Sequence, residues 1–129
     1  MIKIEEKAIL IRINKTFKRS MDSQILYDYA RGRWRINTVK AKKASYAIAV
    51  FKGVIQEVYE IEDWHKAGTT ESSRMQTSNL ELNSALSLIG RFEFTGKLAP
   101  TYIREKYNQK SVSHYFARGN SNPINYVNL

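Results

Sequence analysis

Two apolar segments separated by a very short connection constrain the fold of this chain more than any other feature. Residues 45–51, SYAIAVF, are almost continuously apolar, and residues 53–61, GVIQEVYEI, alternate in part between apolar and polar side chains. Only Lys52-Gly53 lies between them, and glycine is favoured in two-residue hairpin turns and at strand bends. The segment therefore predicts a tight antiparallel hairpin or a strand that bends sharply at Gly53.

Other strands are predicted on both sides of this pair. Short runs that are apolar or alternate with period two predict strands at residues 7–13, 33–36, 91–95 and 124–127. In the third of these, Phe92 and Phe94 would lie on one face and Glu93 on the other, as in a half-buried strand. Gly96 is expected to turn the chain directly afterwards.

Two helices are predicted between the strands. Ser20 or Asp22 can cap a helix over residues 21–30, and Pro100 can begin a second helix over residues 100–107. The order of elements predicts an α+β fold.

The remaining segments are expected to be turns or loops in one domain that spans residues 1–129. Asn37-Thr38 predicts a turn, and residues 111–116 predict a last strand or turn. The polar, Thr- and Ser-rich segment at about residues 66–80 predicts a long loop that could be mobile.

Composition excludes several classes of site. The chain has no cysteine and only two histidines, which excludes disulfides and thiolate metal sites and argues against a histidine-rich metal centre. We therefore expect no metal and no cofactor. No apolar run approaches the ~20 residues that span a bilayer, and the first residues carry Glu5 and Glu6 where a secretory signal would be basic. We expect a cytoplasmic protein with no membrane partner.

The net charge of +9 is distributed unevenly along the chain. Residues 1–53 contain thirteen Lys and Arg against four Asp and Glu, whereas residues 54–129 contain eight of each. Such an asymmetry is expected when one surface meets a polyanion such as DNA or RNA. If residues 31–36 form a strand, Arg31, Arg33 and Arg35 would share one cationic face.

Candidate contacts follow from this charge pattern. The candidate nucleic-acid-binding residues are Lys15, Lys18, Arg19, Arg31, Arg33, Arg35, Lys40, Lys42 and Lys43. An unstacked base could lie against an aromatic side chain, for which the candidates are Trp34, Tyr59 and Trp64.

Two enzymatic possibilities stay open beside binding. The acids Glu57, Glu60, Glu62 and Asp63 could belong to a magnesium-dependent nuclease, although no acid-x-lysine triplet accompanies them and ion pairing with nearby cations is favoured. His114, beside Ser113, is a weak catalytic candidate, because neighbours in a strand face opposite ways.

A family resemblance adds to these observations. The segments RGRWRI, YAIAVFKGVIQEVYEI followed by Trp64, and RFEFTG resemble the PUA-like superfamily, and its EVE-type members in particular. Gly32 and Trp34 match a Gly-x-Trp element and Gly53 an inter-strand glycine, over about residues 9–96. The ASCH signature Gly-x-Lys-x-x-Glu-x-Arg is absent.

The resemblance implies a curved, mainly antiparallel β-sheet or barrel with two or three helices. It also implies binding of RNA or DNA, in several members with an extruded modified base in an aromatic pocket. We therefore expect a nucleic-acid-binding domain. A small hydrolase or nuclease acting on nucleic acid and a basic protein-interaction module remain the alternatives. The oligomeric state stays open.

Overall fold

Six strands form one curled sheet in the computed structural model of the protein, which describes residues 1–13, 22–70, 89–116 and 122–129. The strands are β1 (Ala8–Arg12), β2 (Gly32–Trp34), β3 (Tyr46–Phe51), β4 (Val54–Lys66), β5 (Phe92–Leu98) and β6 (Ile124–Val127). The helices of the described residues are α1 (Ser23–Arg31), α2 (Thr38–Ala41), α3 (Thr101–Tyr107) and a 3₁₀ turn, η1 (Ser113–Tyr115). The predicted α+β fold with a curved, mainly antiparallel sheet is confirmed.

The strand order is β2-β5-β4-β3-β1-β6. All neighbours pair antiparallel except β1 and β3, which are parallel. A parallel pair needs a crossover connection between its strands. Here α1, β2 and α2 lie in that connection.

The predicted hairpin is confirmed, since β3 and β4 pair antiparallel across Lys52-Gly53. Both turn residues have positive φ angles, 49° at Lys52 and 78° at Gly53. This is the combination that matches the twist of the strands in a two-residue turn. A Cβ at residue 53 would also lie 2.9 Å from the Cβ of Ser113, so glycine is required for space as well.

Both faces of the sheet are covered, which explains why residues 46–51 are continuously apolar. Alternate residues of β1 and β3 belong to two separate core clusters. One cluster packs beneath α1 and α2 and contains Tyr59, Trp64 and Phe94. The other packs beneath the N-terminal segment and α3 and contains Ile103 and Tyr107.

Strands β4 and β5 extend further than the sequence predicts. Trp64 and His65, which lie beyond the predicted strand segment of residues 53–61, pair with Phe94 and Glu93 within the sheet. The predicted turn at Gly96 is wrong, because β5 continues past it to Leu98. Gly96 lies opposite a β-bulge in β4, where the backbones approach so closely that a Cβ would clash with the Glu60 carbonyl.

A short strand overlaps the predicted residues 33–36, but the predicted arginine face is wrong. Arg31 is the last residue of α1, Arg33 has a φ of 76°, and β2 is only three residues long with an irregular register. The three arginines therefore do not alternate along one strand face. The expected turn at Asn37-Thr38 is instead the start of α2, where the Asn37 side chain accepts a hydrogen bond from the Lys40 N–H at 3.2 Å.

The remaining segments follow the sequence more closely. Asp22 caps α1 by accepting the Ile25 N–H at 2.9 Å, and β6 forms where a strand was predicted. Pro100 precedes α3 as its N-cap. Residues 111–116 form an isolated bridge and η1. Of the expected loop at 66–80, residue 66 ends β4 and the part after residue 70 lies outside the described residues.

A buried ionic network joins α1, β5 and the turn that follows β4. Arg31, only 2% exposed, lies between Asp28, with Nε to Oδ1 at 3.2 Å, and Glu93, with Nη1 to Oε2 at 3.4 Å. The Glu93 carboxylate also accepts the backbone N–H groups of Gly68 and Thr70, at 2.7 and 3.1 Å, and the Thr70 hydroxyl. Glu93 was predicted on the open face of its strand, but these partners satisfy its charge in the interior.

Glu93→Gln is expected to destabilise the protein by roughly 3 kcal/mol at pH 7, because it removes one charge of a buried pair. Burial raises the pKa of Glu93, but the hydrogen bonds from Thr70 and Gly68 and the nearby Arg31 lower it more, so its pKa lies below the usual 4.5. The folded state thus gains stability that is complete above about pH 4.5 and is lost as pH falls through the lowered folded pKa. Urea unfolding of both proteins between pH 7 and pH 2 measures this difference.

The exposed Glu105→Gln on α3 is the matched control and should change stability by less than about 0.5 kcal/mol at pH 7. A Glu93→Gln penalty that stays constant down to pH 2 would contradict the assignment of an ionised Glu93.

Gly96→Ala is expected to cost roughly 1–3 kcal/mol, because the added methyl group meets a backbone carbonyl that side-chain motion cannot relieve. Gly32→Ala is the control, since a Cβ there would have its nearest neighbour at 3.6 Å and φ is −122°. Thermal unfolding of both variants tests this. Equal stability of the two would be inconsistent with the close strand approach at Gly96.

Candidate nucleic-acid interface

A short cationic segment surrounds α2. We define it by five of the residues that the sequence singled out: Arg33, Arg35, Lys40, Lys42 and Lys43. All are exposed except Arg33, which is half-buried. The buried side of this region consists of Ala41 and Ala44, and the Trp64 indole N–H donates to the Ala41 carbonyl at 3.2 Å. The sheet therefore fixes α2 with its lysines toward solvent.

Other cations lie next to this segment. Arg91 Nη1 donates to the Arg33 carbonyl at 3.0 Å, and Arg35 Nη1 lies 3.5 Å from where a Cβ of residue 90 would stand. Ser45, just after the segment, donates its N–H to the carbonyl of the exposed Lys7 at 2.8 Å. One further arginine, Arg91, and one further lysine, Lys7, thus lie near the ends of the segment.

No ion pair neutralises the cationic segment within the described part of the chain. Lys40 Nζ lies 5.5 Å from the centre of the Tyr126 ring, a cation–π contact that keeps the charge accessible. The exposed acids Glu62 and Asp63 precede Trp64 on β4 but pair with none of the five cations. The segment therefore presents uncompensated positive charge.

The other predicted cations are not part of this surface. Arg31 is buried in its network with Asp28 and Glu93, so its guanidinium does not face solvent. It was grouped with Arg33 and Arg35 because of a strand periodicity that the helix end at Arg31 interrupts. Lys15, Lys18 and Arg19 lie outside the described residues.

The predicted pocket aromatics occupy different environments. Trp34 is half-buried and donates its indole N–H to the Ala30 carbonyl at 2.7 Å. Trp64 is 7% exposed and packs edge-on against Phe94 at 5.4 Å. Both indoles thus belong to the layer that holds α1 and α2 on the sheet. Tyr59 is only 2% exposed, yet it lines a cleft.

This cleft, which we call the α1–β5 cleft, has a volume of about 240 Å³. Strand β2 pairs with β5 only near Phe92 and Glu93, so α1 lies along the rest of that edge and leaves a gap. The cleft is lined by Ser23, Gln24, Tyr27, Tyr59, Gly96, Lys97 and Leu98. Sequence reasoning found only Tyr59 among these, because the others come from two segments about seventy residues apart.

Two phenol groups give the cleft its polar chemistry. The Tyr27 oxygen accepts the Gly96 N–H at 2.8 Å, and its ring centre lies 5.2 Å from that of Tyr59. The Tyr59 hydroxyl is buried and has no hydrogen-bond partner in the part of the chain that the structure describes. Burial raises the pKa of both tyrosines, and Glu57 adds to this at Tyr59, so both phenols are neutral donors at ordinary pH.

Two acids of the patch on β4, Glu57 and Glu60, are engaged in ion pairs. Arg104 donates to both oxygens of Glu57, at 2.8 and 2.9 Å, and Asn108 donates to one of them at 3.0 Å. Burial raises the pKa of Glu57, but these hydrogen bonds lower it below its usual value. Lys97 lies 3.5 Å from Glu60. The described residues contain no group of three or more His, Cys, Asp or Glu side chains able to hold a metal ion.

His114 lies on η1 and is exposed. Its ring centre lies 4.3 Å from that of Tyr115. The hydroxyl of Ser113 instead contacts the Met1 sulfur and the Ser111 hydroxyl, both at 3.3 Å. These contacts do not form a serine–histidine pair.

No described helix is both long enough and apolar enough to cross a membrane. Comparisons of the chain with protein-family models, with curated proteins and with solved structures found no match.

Proposed function

We propose that the protein binds nucleic acid, with the cationic segment contacting phosphates. The observation that carries this proposal is the exposure of four unpaired cations, Arg35, Lys40, Lys42 and Lys43, within nine consecutive residues. Cations that replace condensed counterions on a phosphate backbone gain affinity from the release of those ions. A segment held rigidly by the sheet loses little conformational freedom when it binds.

The local sequence supports a polyanionic partner over an ordinary solvated surface. Residues 29–56 contain no Asp or Glu at all. On most surfaces both signs of charge are interspersed, which limits the electrostatic potential at any one place. Here the electrostatic potentials of neighbouring cations add along the cationic segment. The resemblance to PUA-like domains supports the same class of partner.

Selectivity would come from an aromatic pocket that takes an unstacked base. Of the three aromatics that the sequence suggests, Tyr59 borders a cleft, while the indole N–H groups of Trp34 and Trp64 are already bonded within the fold. The cleft lies at the start of α1, and the cationic segment begins after its end. Nine residues of helix correspond to roughly 13 Å, so a strand bound to the segment could also reach the cleft.

Replacing Lys40, Lys42 and Lys43 together by Gln is expected to weaken oligonucleotide binding at least tenfold at about 50 mM salt, because three phosphate contacts are lost. The slope of log affinity against log salt should become shallower by about 0.7–0.9 for each contact removed. Fluorescence anisotropy with single-stranded and double-stranded DNA and RNA of one length measures both quantities and identifies the preferred polymer.

The matched control replaces Lys3, Lys52 and Lys110 by Gln, which removes the same charge from a different part of the molecule. These lysines lie close to residues 111–112. There the Ile2 N–H donates to the Ser111 carbonyl, and the Val112 N–H donates to the Gly53 carbonyl. The proposal fails if the wild-type protein binds no oligonucleotide at low salt, or if both triple variants lose affinity equally. Tight binding of an acidic protein without binding of nucleic acid would favour a protein-interaction module.

A further inference from the structure

The α1–β5 cleft contains an unsatisfied hydrogen-bonding group. Buried hydroxyls in folded proteins nearly always have a partner, because burying an unpaired one is unfavourable. The Tyr59 hydroxyl has none among the described residues, although Tyr59 is 2% exposed and lines the cleft. A ligand whose acceptor atom reached this buried hydroxyl from the cleft would supply the missing bond.

The charges around the cleft disfavour a phosphate as that ligand. Lys97 is the one charged side chain of the described lining, and it is already paired with Glu60 at 3.5 Å. The N-terminus of α1 is capped by the Asp22 carboxylate. A phosphate would therefore meet neither an unpaired cation of the described lining nor an uncapped helix end, which favours a neutral occupant.

The size of the cleft limits its occupant. Its lining includes the rings of Tyr27 and Tyr59 and the side chain of Leu98, together with Ser23 and Gln24. Sites for drug-sized ligands occupy about 300–1,000 Å³, so a cleft of about 240 Å³ suits one ring system rather than several.

We infer that the α1–β5 cleft binds one neutral heterocyclic ring system, chemically a nucleobase, whose acceptor atom takes the hydrogen bond of the Tyr59 hydroxyl. This inference deepens the proposed function and rests on it for one point, the source of the ring. The same chemistry is offered by a free nucleoside and by an unpaired base in a strand. Tyr59 is then the residue that determines specificity, since its hydroxyl donates only to rings that place an acceptor atom next to it.

The test uses the full chain labelled with ¹⁵N and titrated with adenosine, guanosine, cytidine, thymidine and uridine. A second series uses an oligonucleotide duplex with one unpaired base and the same duplex fully paired. We expect saturable shifts of the Gly96 and Leu98 amide signals with at least one nucleoside or with the unpaired base. Shifts with nucleosides identify a free ligand as sufficient, and shifts only with the unpaired base identify the strand as the source.

Tyr59→Phe removes the hydroxyl and keeps the ring, so it should weaken this binding roughly tenfold. Its urea midpoint should be unchanged or higher, because a buried polar group without a partner is lost. Tyr102→Phe, on the exposed side of α3, is the matched control and should bind as the wild type does. Leu98→Trp should fill the cleft and abolish the shifts. If Leu98→Trp does not fold, the binding and the urea midpoint of Tyr59→Phe are sufficient to test the inference.

The inference is overturned if no probe shifts Gly96 and Leu98, if Tyr59→Phe binds as tightly as the wild type, or if its urea midpoint falls. Salt-dependent oligonucleotide binding by a protein whose Gly96 and Leu98 signals shift with neither nucleosides nor the unpaired base would overturn the inference and leave the proposed function standing. Nucleoside binding without any oligonucleotide binding would support the inference and overturn the proposed function.

Discussion

The buried Asp28–Arg31–Glu93 network is the interaction on which the candidate surface depends. It is the point at which α1, the edge of β5 and the turn after β4 meet, and all three charges are excluded from water. Desolvated charges are tolerated only when every one is paired and hydrogen-bonded. The network therefore admits one arrangement of these elements, which fixes the position of β2 and the direction in which the chain continues into α2.

The two candidate sites lie on either side of this network along the chain. After α1 ends at Arg31, the chain continues to α2 and exposes the cations around it. Before the network, the first half of α1 runs beside β5 without strand pairing, and a cleft remains between them. Positive charge is thus concentrated around α2, whose backbone accepts a hydrogen bond from Trp64. Apolar surface is concentrated in the α1–β5 cleft, where the packing is incomplete.

Much of the sheet and the cations around α2 could be predicted from the sequence, whereas the α1–β5 cleft and the buried network could not. The hairpin at Lys52-Gly53 and the alternation of Phe92 and Phe94 are local signals, since turn chemistry and strand period are written in neighbouring residues. The prediction that Arg31, Arg33 and Arg35 share one face was wrong, because the same spacing also fits the end of a helix followed by a residue with positive φ. An arginine at position 33 does not rule out that backbone conformation. A four-residue helix such as α2 is too short to show a period. The partner of Arg31 lies sixty-two residues away, at Glu93, and Tyr27 meets Gly96 across a similar separation.

The path of the crossover has a consequence for the order of assembly. After β1 the chain travels to β2 at the far edge of the sheet and returns to β3 beside its starting point, so the crossover spans strands that occur later in the sequence. Among the described strands β2 pairs with β5 alone, so during synthesis it has no strand partner until β5 has emerged. The edge of the sheet that carries β2 is therefore completed late. A surface built in this way can acquire new side chains without disturbing the strands beneath it.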